Sequence, residues 1–439
     1  MMKRLILIPA ALLSIFILQA CSSNLGVNSD KKITKAEIRQ TEAGHRIFLD
    51  GEEFYVKGAG VEYGSLEVLA KHGANAFRTW RTDNGRRSAK EVLDEAEELG
   101  LKVMMGIDVG RERLGFDYND EAAVQAQLDR IKAEVLAIKD HPALIVWGIG
   151  NELNHHAENP KVWDAVNDIS EMIHELDPYH LTTTPIAGMN KDVVSLVKER
   201  ASDLDFLSVQ MYGEIEILDQ RIRESSYTEP LLVTEWGATG YWEVGLTDWG
   251  APLENNSSVK ADFYRSRYAK AIESQSSLVM GSFVFLWGQK QERTPTWFGM
   301  FMPDGNETEA IDAMHYVWNG SWPENRSPRL INFTLNGQVA QNNIRLKANE
   351  LNEAQVEILE HDQDSLNYTW TIMEESVSKA TGGDREEVPE AIEGLFQGDL
   401  ADKVSFLAPT DSGAYRLFIE VKDGQGHTAH ANIPFYVEL

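Results

Sequence analysis

From about residue 45 to 320, short runs of Val, Ile, Leu and Phe alternate with longer amphipathic stretches. Eight runs have the length and apolar content of buried strands: Phe54–Gly60, Ala76–Trp80, Lys102–Val109, Leu144–Gly150, Leu181–Ile186, Phe206–Tyr212, Leu231–Trp236 and Val279–Trp287. Between them apolar residues recur every three or four positions. Val92, Leu93, Ala96 and Leu99 share one helical face, with Gly100 as a stop. Val124, Leu128, Ile131, Val135 and Ile138 form a second stripe, and Trp163, Val166, Ile169, Ile173 and Leu176 a third. A last helix is expected over Glu309 to Trp318. Eight strand-helix units in one block predict an α/β fold, a (β/α)8 barrel closed on itself. The first strand is not followed by a Gly-rich phosphate loop, so dinucleotide binding is not expected.

After an Asn-, Ser- and Pro-containing linker, Asn319 to Pro328, the period changes from helical to alternating. Leu366–Ile372 and Tyr415–Val421 read as half-buried strands, and Asp423-Gly-Gln-Gly426 as a tight turn. The acidic stretch Glu374 to Glu393 reads as an exposed loop. Residues 323–439 are therefore predicted to form a small all-β sandwich after a barrel at 45–322. Pro409-Thr-Asp-Ser-Gly-Ala-Tyr-Arg416 resembles the turn into a late strand of immunoglobulin-like modules.

The first 20 residues read as a targeting segment. Lys3 and Arg4 precede an apolar stretch, Leu5 to Leu18, that is short for a membrane span. Leu18-Gln-Ala-Cys21 resembles a bacterial lipobox, which implies lipidation of Cys21 and a polar tether and lead-in over 21–44. Ser22, rather than Asp, implies export to the outer membrane of a Gram-negative envelope. Cys21 is the single cysteine, so no intramolecular disulfide can form. The formal net charge of -28 argues against nucleic acid and against a polyanionic substrate. A neutral, β-linked oligo- or polysaccharide is the expected partner, with a monomeric protein and no cofactor.

Two strand runs end in a carboxylate: Ile145-Val-Trp-Gly-Ile-Gly-Asn-Glu152 and Leu231-Leu-Val-Thr-Glu235-Trp-Gly. Strand packing does not call for glutamate there. Residues at the C-terminal ends of barrel strands line the mouth, and strands four and seven face each other across it. Paired carboxylates across a sugar-sized gap are the apparatus of glycoside hydrolysis, about 5–5.5 Å apart in retaining enzymes and about 6.5–9.5 Å apart in inverting ones.

The pattern resembles clan A of the glycoside hydrolases, retaining enzymes on (β/α)8 barrels. The resemblance implies that Glu152 is the acid/base and Glu235 the nucleophile. It implies that Arg78 on strand two and Tyr212 after strand six contact the nucleophile. Asn151 would bond the sugar 2-hydroxyl, and Trp287 would form the aromatic floor under the sugar. Trp80, Asp108, Tyr241, Trp242, Trp249 and Trp297 fall near the expected mouth, where aromatic faces can stack on pyranose rings. His155 or His156 is a candidate substrate contact. No third ligand stands at zinc spacing, so no metal is expected. Lys290-Gln-Glu292 could reach sugar hydroxyls.

The opening Ile47-Phe-Leu-Asp-Gly-Glu-Glu-Phe-Tyr-Val-Lys-Gly-Ala-Gly60 resembles the start of the family 2 barrel domain. Barrel followed by sandwich is similar to bacterial endo-acting members such as the family 158 endo-β-1,3-glucanases. This order implies endo-hydrolysis of a β-glucan, β-1,3-linked first, with β-mannan or β-galactan as alternatives. A transglycosylase with the same carboxylates, and a non-catalytic surface glycan-binding lipoprotein, are the rival expectations.

Overall fold

The computed structural model describes residues 32–439; the targeting segment and Cys21 lie outside them. All eight apolar runs become strands of one closed parallel barrel. These are β1 (Val56–Gly60), β2 (Ala76–Arg78), β3 (Lys102–Ile107), β4 (Leu144–Ile149), β5 (Leu181–Ala187), β6 (Phe206–Gln210), β7 (Leu231–Glu235) and β8 (Val279–Val284). They pair in chain order, and β8 closes on β1 through Gly281↔Val56 to Val284↔Ala59. Strand residues are almost uniformly buried, which explains why they read as continuous apolar runs.

The helices follow from their stripes and caps. Ser88 caps Ala89–Glu98 in a capping box with Glu91, and Asp120 caps Glu121–Ile138 by accepting from Ala122 and Ala123. Each turns an apolar stripe onto the barrel wall. At the opposite end from the mouth, a three-stranded antiparallel sheet (Ala36–Thr41, Gly44–Leu49, Glu52–Phe54) places Ile47 in a cluster with Val56, Ala76 and Phe206. The lead-in is therefore partly built into the fold as a plug.

The C-terminal strands form two sheets around a second core. One contains Asn367–Glu374, Gly413–Lys422 and His427–Glu438; the other contains Arg329–Leu335, Leu351–Leu359 and Lys403–Leu407. The sandwich is not separate from the barrel. Glu307–Thr308, from the barrel's last loop, pairs in parallel with His427–Thr428 of the sandwich. A buried polar knot lies nearby. Glu254 accepts from Lys260 Nζ at 2.6 Å, Thr294 at 2.6 Å, Thr296 at 2.9 Å and the sandwich's Asn432 Nδ2 at 2.6 Å. Burial would raise this carboxyl, but Lys260 and the other donors hold it at about 2.

Removing one partner of such a pair leaves an uncompensated buried charge. Glu254→Ala should cost about 3–5 kcal/mol, read as a lower thermal midpoint. Glu254→Leu combined with Lys260→Met should regain most of that loss, because the desolvation of both charges disappears together.

Candidate active site

β7 delivers Glu235 to the barrel mouth, where three donors converge on its carboxylate. Arg78, at the end of β2, donates Nη1–H to Oε1 at 3.3 Å. Trp80, two residues further on, donates its indole N–H to the same oxygen at 2.8 Å. Tyr212, just beyond β6, donates its hydroxyl to Oε2 at 2.7 Å. The arrangement leaves Glu235 the role of acceptor. Burial and then the charge of Glu235 push the Tyr212 phenol well above its ordinary range, so it stays protonated as a donor.

Asn151 and Glu152 follow β4. Asn151 Oδ1 accepts from Arg78 Nη2 at 2.8 Å and from Gln210 Nε2 at 2.7 Å. Both acceptor sites of that oxygen are thus used, and the amide NH2 is left for another partner. Arg78 bridges the two halves of the site, one nitrogen to Glu235 and one to Asn151. Its side chain is 1% exposed, so the fork is held rigidly.

Glu152 differs from Glu235 in every respect. Its backbone adopts φ 50°, a left-handed conformation uncommon for a residue with a Cβ, and its N–H is tied to Pro185 O at 2.9 Å. No side chain among the described residues hydrogen-bonds its carboxyl. Burial first, and the charge of Glu235 second, raise it to about 8, against the opposing pull of Arg78 and Arg111. One carboxyl therefore holds a proton at neutral pH while its neighbour is surrounded by donors. Two carboxyl groups in such different surroundings supply an acid and a nucleophile or base in one place.

Both open into a cleft of about 650 Å³. Among the residues expected from the sequence, Arg78 and Tyr212 hold the Glu235 carboxylate at its base, while Trp80, Asn151, His155, Trp242, Tyr241, Lys290 and Glu292 line it. Trp242 is 56% exposed, with its ring edge-on to Tyr212. Trp80 belongs nearer the chemistry than a stacking platform does, because it bonds the carboxylate directly.

Trp287 is a correction. It is fully buried, donates its indole N–H to Ser65 O at 3.1 Å, and packs against Trp318 and Phe301 in the barrel's main core. The backbone stays on the barrel past Val284, with Phe285 N–H bonded to Trp236 O and Trp287 N–H to Gly60 O, but the Trp287 side chain is buried in the core, and Phe285 and Leu286 line the cleft instead. Trp297 is likewise core, bonded to Thr239 O at 2.9 Å. Trp249 packs on Tyr436 of the sandwich, and the exposed Asp108 is not among the cleft residues.

Several cleft residues carry no local sequence signal. Gln210 is an ordinary strand-end glutamine until Asn151 is placed beside it. Arg111, half-buried with an unpartnered Nε, follows β3. Thr381 to Arg385 come from the sandwich: the stretch Glu374–Glu393 is the largely exposed loop between strands that the sequence predicts, and its tip also reaches the cleft.

The family model "Glycosyl hydrolases family 2, TIM barrel domain" matches residues 63–318. The chain belongs to glycosyl hydrolase family 2. Among curated relatives, the pig (Sus scrofa) β-glucuronidase is 24% identical over 259 residues, covering 52% of this chain and 38% of that enzyme. Among solved structures, Ruminococcus gnavus β-glucuronidase superposes with a TM-score of 0.51 at 17% identity, covering 66% of this chain and 53% of that one. A putative β-galactosidase from Bacteroides fragilis gives a TM-score of 0.50 at 15% identity over 93% of this chain and 58% of the other. At these identities the structural likeness speaks for the fold. The chain spans only 38% to 58% of the length of these relatives.

Proposed function

We propose that the protein is a retaining glycoside hydrolase that cleaves β-glycosidic bonds of a neutral oligo- or polysaccharide. One observation carries this reading: a proton-holding carboxyl, Glu152, shares a sugar-sized cleft with Glu235, which accepts three hydrogen bonds. Glu235 attacks the anomeric carbon while Glu152 protonates the departing oxygen. Glu152, now ionised, then takes a proton from water as that water attacks the glycosyl-enzyme, and both groups return to their starting states. The amide NH2 of Asn151 is free to bond a hydroxyl of the sugar being cleaved.

A β-glucan, β-1,3-linked first, is the favoured substrate. Support comes from the sandwich following the barrel and from aromatic surface at the cleft, Trp242 and Tyr241. A β-glucuronide is the second reading. It is favoured by the similarity to β-glucuronidases and by Arg111 and Arg385 at the cleft, cations suited to a sugar carboxylate. A non-catalytic glycan-binding role gives no reason for a carboxyl held protonated beside a second one.

The test is incubation of purified protein with β-1,3-, β-1,4- and mixed-linkage glucans, mannan, galactan, xylan and aryl β-glucuronide and β-galactoside. Product lengths and the anomeric configuration of the first product are recorded by proton NMR. Release of β-configured product is expected. An α-configured first product overturns retention, chain elongation in place of hydrolysis favours a transglycosylase, and absence of cleavage across the panel overturns the enzymatic reading.

A further inference from the structure

Between the sandwich strands Asn367–Glu374 and Phe396–Gln397, the chain makes an excursion without regular helix or strand, and its middle reaches the barrel mouth. Segments of this length lacking their own secondary structure are uncommon in compact domains, because their ordering is not offset by a backbone ladder. Here the ordering is offset by anchors from three barrel loops. After β3, the Arg113 guanidinium grips Asp384 with two bonds of 2.8 and 3.2 Å. After β8, Lys290 Nζ donates to Gly383 O at 2.8 Å, and Arg293 donates to Ala380 O at 2.9 Å and to Ser378 O. The backbone N–H of Arg293 donates to the buried carboxylate of Glu386 at 2.8 Å. From the loop after β7, Tyr241 lies within 3.5 Å of Ala380 O. At the root, Arg416 holds Glu375 at 2.7 and 3.0 Å.

The tip needs its two glycines. Gly382 and Gly383 have φ of +59° and +76°, and a Cβ on Gly383 would stand 2.8 Å from Lys290 Nζ. A Cβ on Gly382 would press on Arg113 and His155. The tip is therefore a tight turn laid against the same histidine that follows Glu152. What it offers the cleft is polar and exposed: the Thr381 hydroxyl and the Arg385 guanidinium, which has no partner among the described residues. The same cleft carries the exposed ring of Trp242. Hydrogen-bond donors in a cleft that also presents an aromatic face form a surface that fits a pyranose ring.

We infer that the sandwich strap Glu375–Val388 forms a subsite for sugar units beyond the one being cleaved, so that the sandwich sets the enzyme's preference for oligosaccharides over single-sugar glycosides. This inference rests on the glycosidase reading of Glu152 and Glu235. Arg385 and Thr381 bond hydroxyls of a neighbouring sugar, and the anchors pre-pay the ordering of the strap before substrate arrives. The role is binding, and its signature is in KM for long substrates.

The test uses the full chain with Thr381→Ala and Arg385→Ala combined, both exposed positions whose truncation leaves the anchors in place. An Arg293→Ala variant, which removes the side-chain bonds to Ser378 O and Ala380 O and so loosens the strap, is the second arm. For each, kcat/KM is measured on a β-linked oligosaccharide and on the aryl glycoside of its terminal sugar, with thermal midpoints alongside. In both variants the ratio of oligosaccharide to aryl-glycoside kcat/KM should fall at least tenfold, mainly through KM. An unchanged ratio in the double variant overturns the subsite, whether both activities fall together or neither changes. A wild-type protein that cleaves neither substrate overturns the glycosidase reading instead, and the subsite with it.

Discussion

Replacing Glu235 with glutamine should lower kcat on any cleaved glycoside by on the order of 10⁵-fold or more, the scale seen when a covalent nucleophile is removed. The protein should stay folded. Glutamine keeps the volume and one carbonyl oxygen, so Arg78, Trp80 and Tyr212 retain part of their acceptor. Glu235→Ala is different. It leaves Arg78, which is 1% exposed, without its charge partner, a loss of about 3–5 kcal/mol. It also opens space for a small anion. Azide added to Glu235→Ala should restore turnover and yield a glycosyl azide of inverted configuration. Recovery of product with retained configuration would instead place the nucleophile elsewhere.

Glu152 gives the second large effect, and its pH dependence separates the two carboxyls. A general acid is worth roughly 10²–10⁴-fold. Glu152→Gln should lose that factor on substrates with poor leaving groups and much less on those whose leaving group departs unaided. In the wild type, activity should fall as pH rises through about 8, where Glu152 gives up its proton, and this alkaline limb should vanish in the variant. Stability falls in the same direction. The folded carboxyl titrates near 8 against an ordinary value of 4.5. The folded protein thus keeps a proton that the unfolded chain releases, and stability declines from pH 4.5 up through 8. Glutamine carries no such penalty. Glu152→Gln should therefore melt higher than wild type at pH 8 and above, and no higher at pH 4. A variant that melts lower at every pH would contradict the isolated, proton-holding environment described for this residue.

The sequence made the barrel legible because parallel strands buried on both faces must be apolar throughout, and helices that cover them must show a stripe. Strand ends were legible to within two residues for seven strands and three for the eighth, which is enough to place Glu152 and Glu235 but not every neighbour. Trp287 shows the cost of that margin. The apolar run continues past Val284 and predicts a strand as far as Trp287, whereas the regular strand ends at Val284 and the Trp287 indole is buried in the core. Gln210 illustrates another limit, since its partner Asn151 lies 59 residues away. The strap was the least legible element. Its acidic, Gly-containing composition is that of a solvated loop, and the residues that hold it, Lys290 and Arg113, lie 93 and 271 positions away along the chain. Local pattern carries no trace of such distant ion pairs and carbonyl contacts.

The pairing of Glu307–Thr308 with His427–Thr428 bears on inheritance as much as on folding. A module joined to its neighbour by a linker alone can be lost, duplicated or exchanged at that linker. Here the seam is a backbone ladder, a buried Glu254–Lys260–Asn432 knot and a strap across the mouth, with residues from both parts on each side. Exchanging the sandwich for that of a relative would require matched changes at positions scattered through the barrel. The two parts are therefore expected to have diverged in step, so that family trees drawn separately from residues 56–319 and 329–438 should share their branching order.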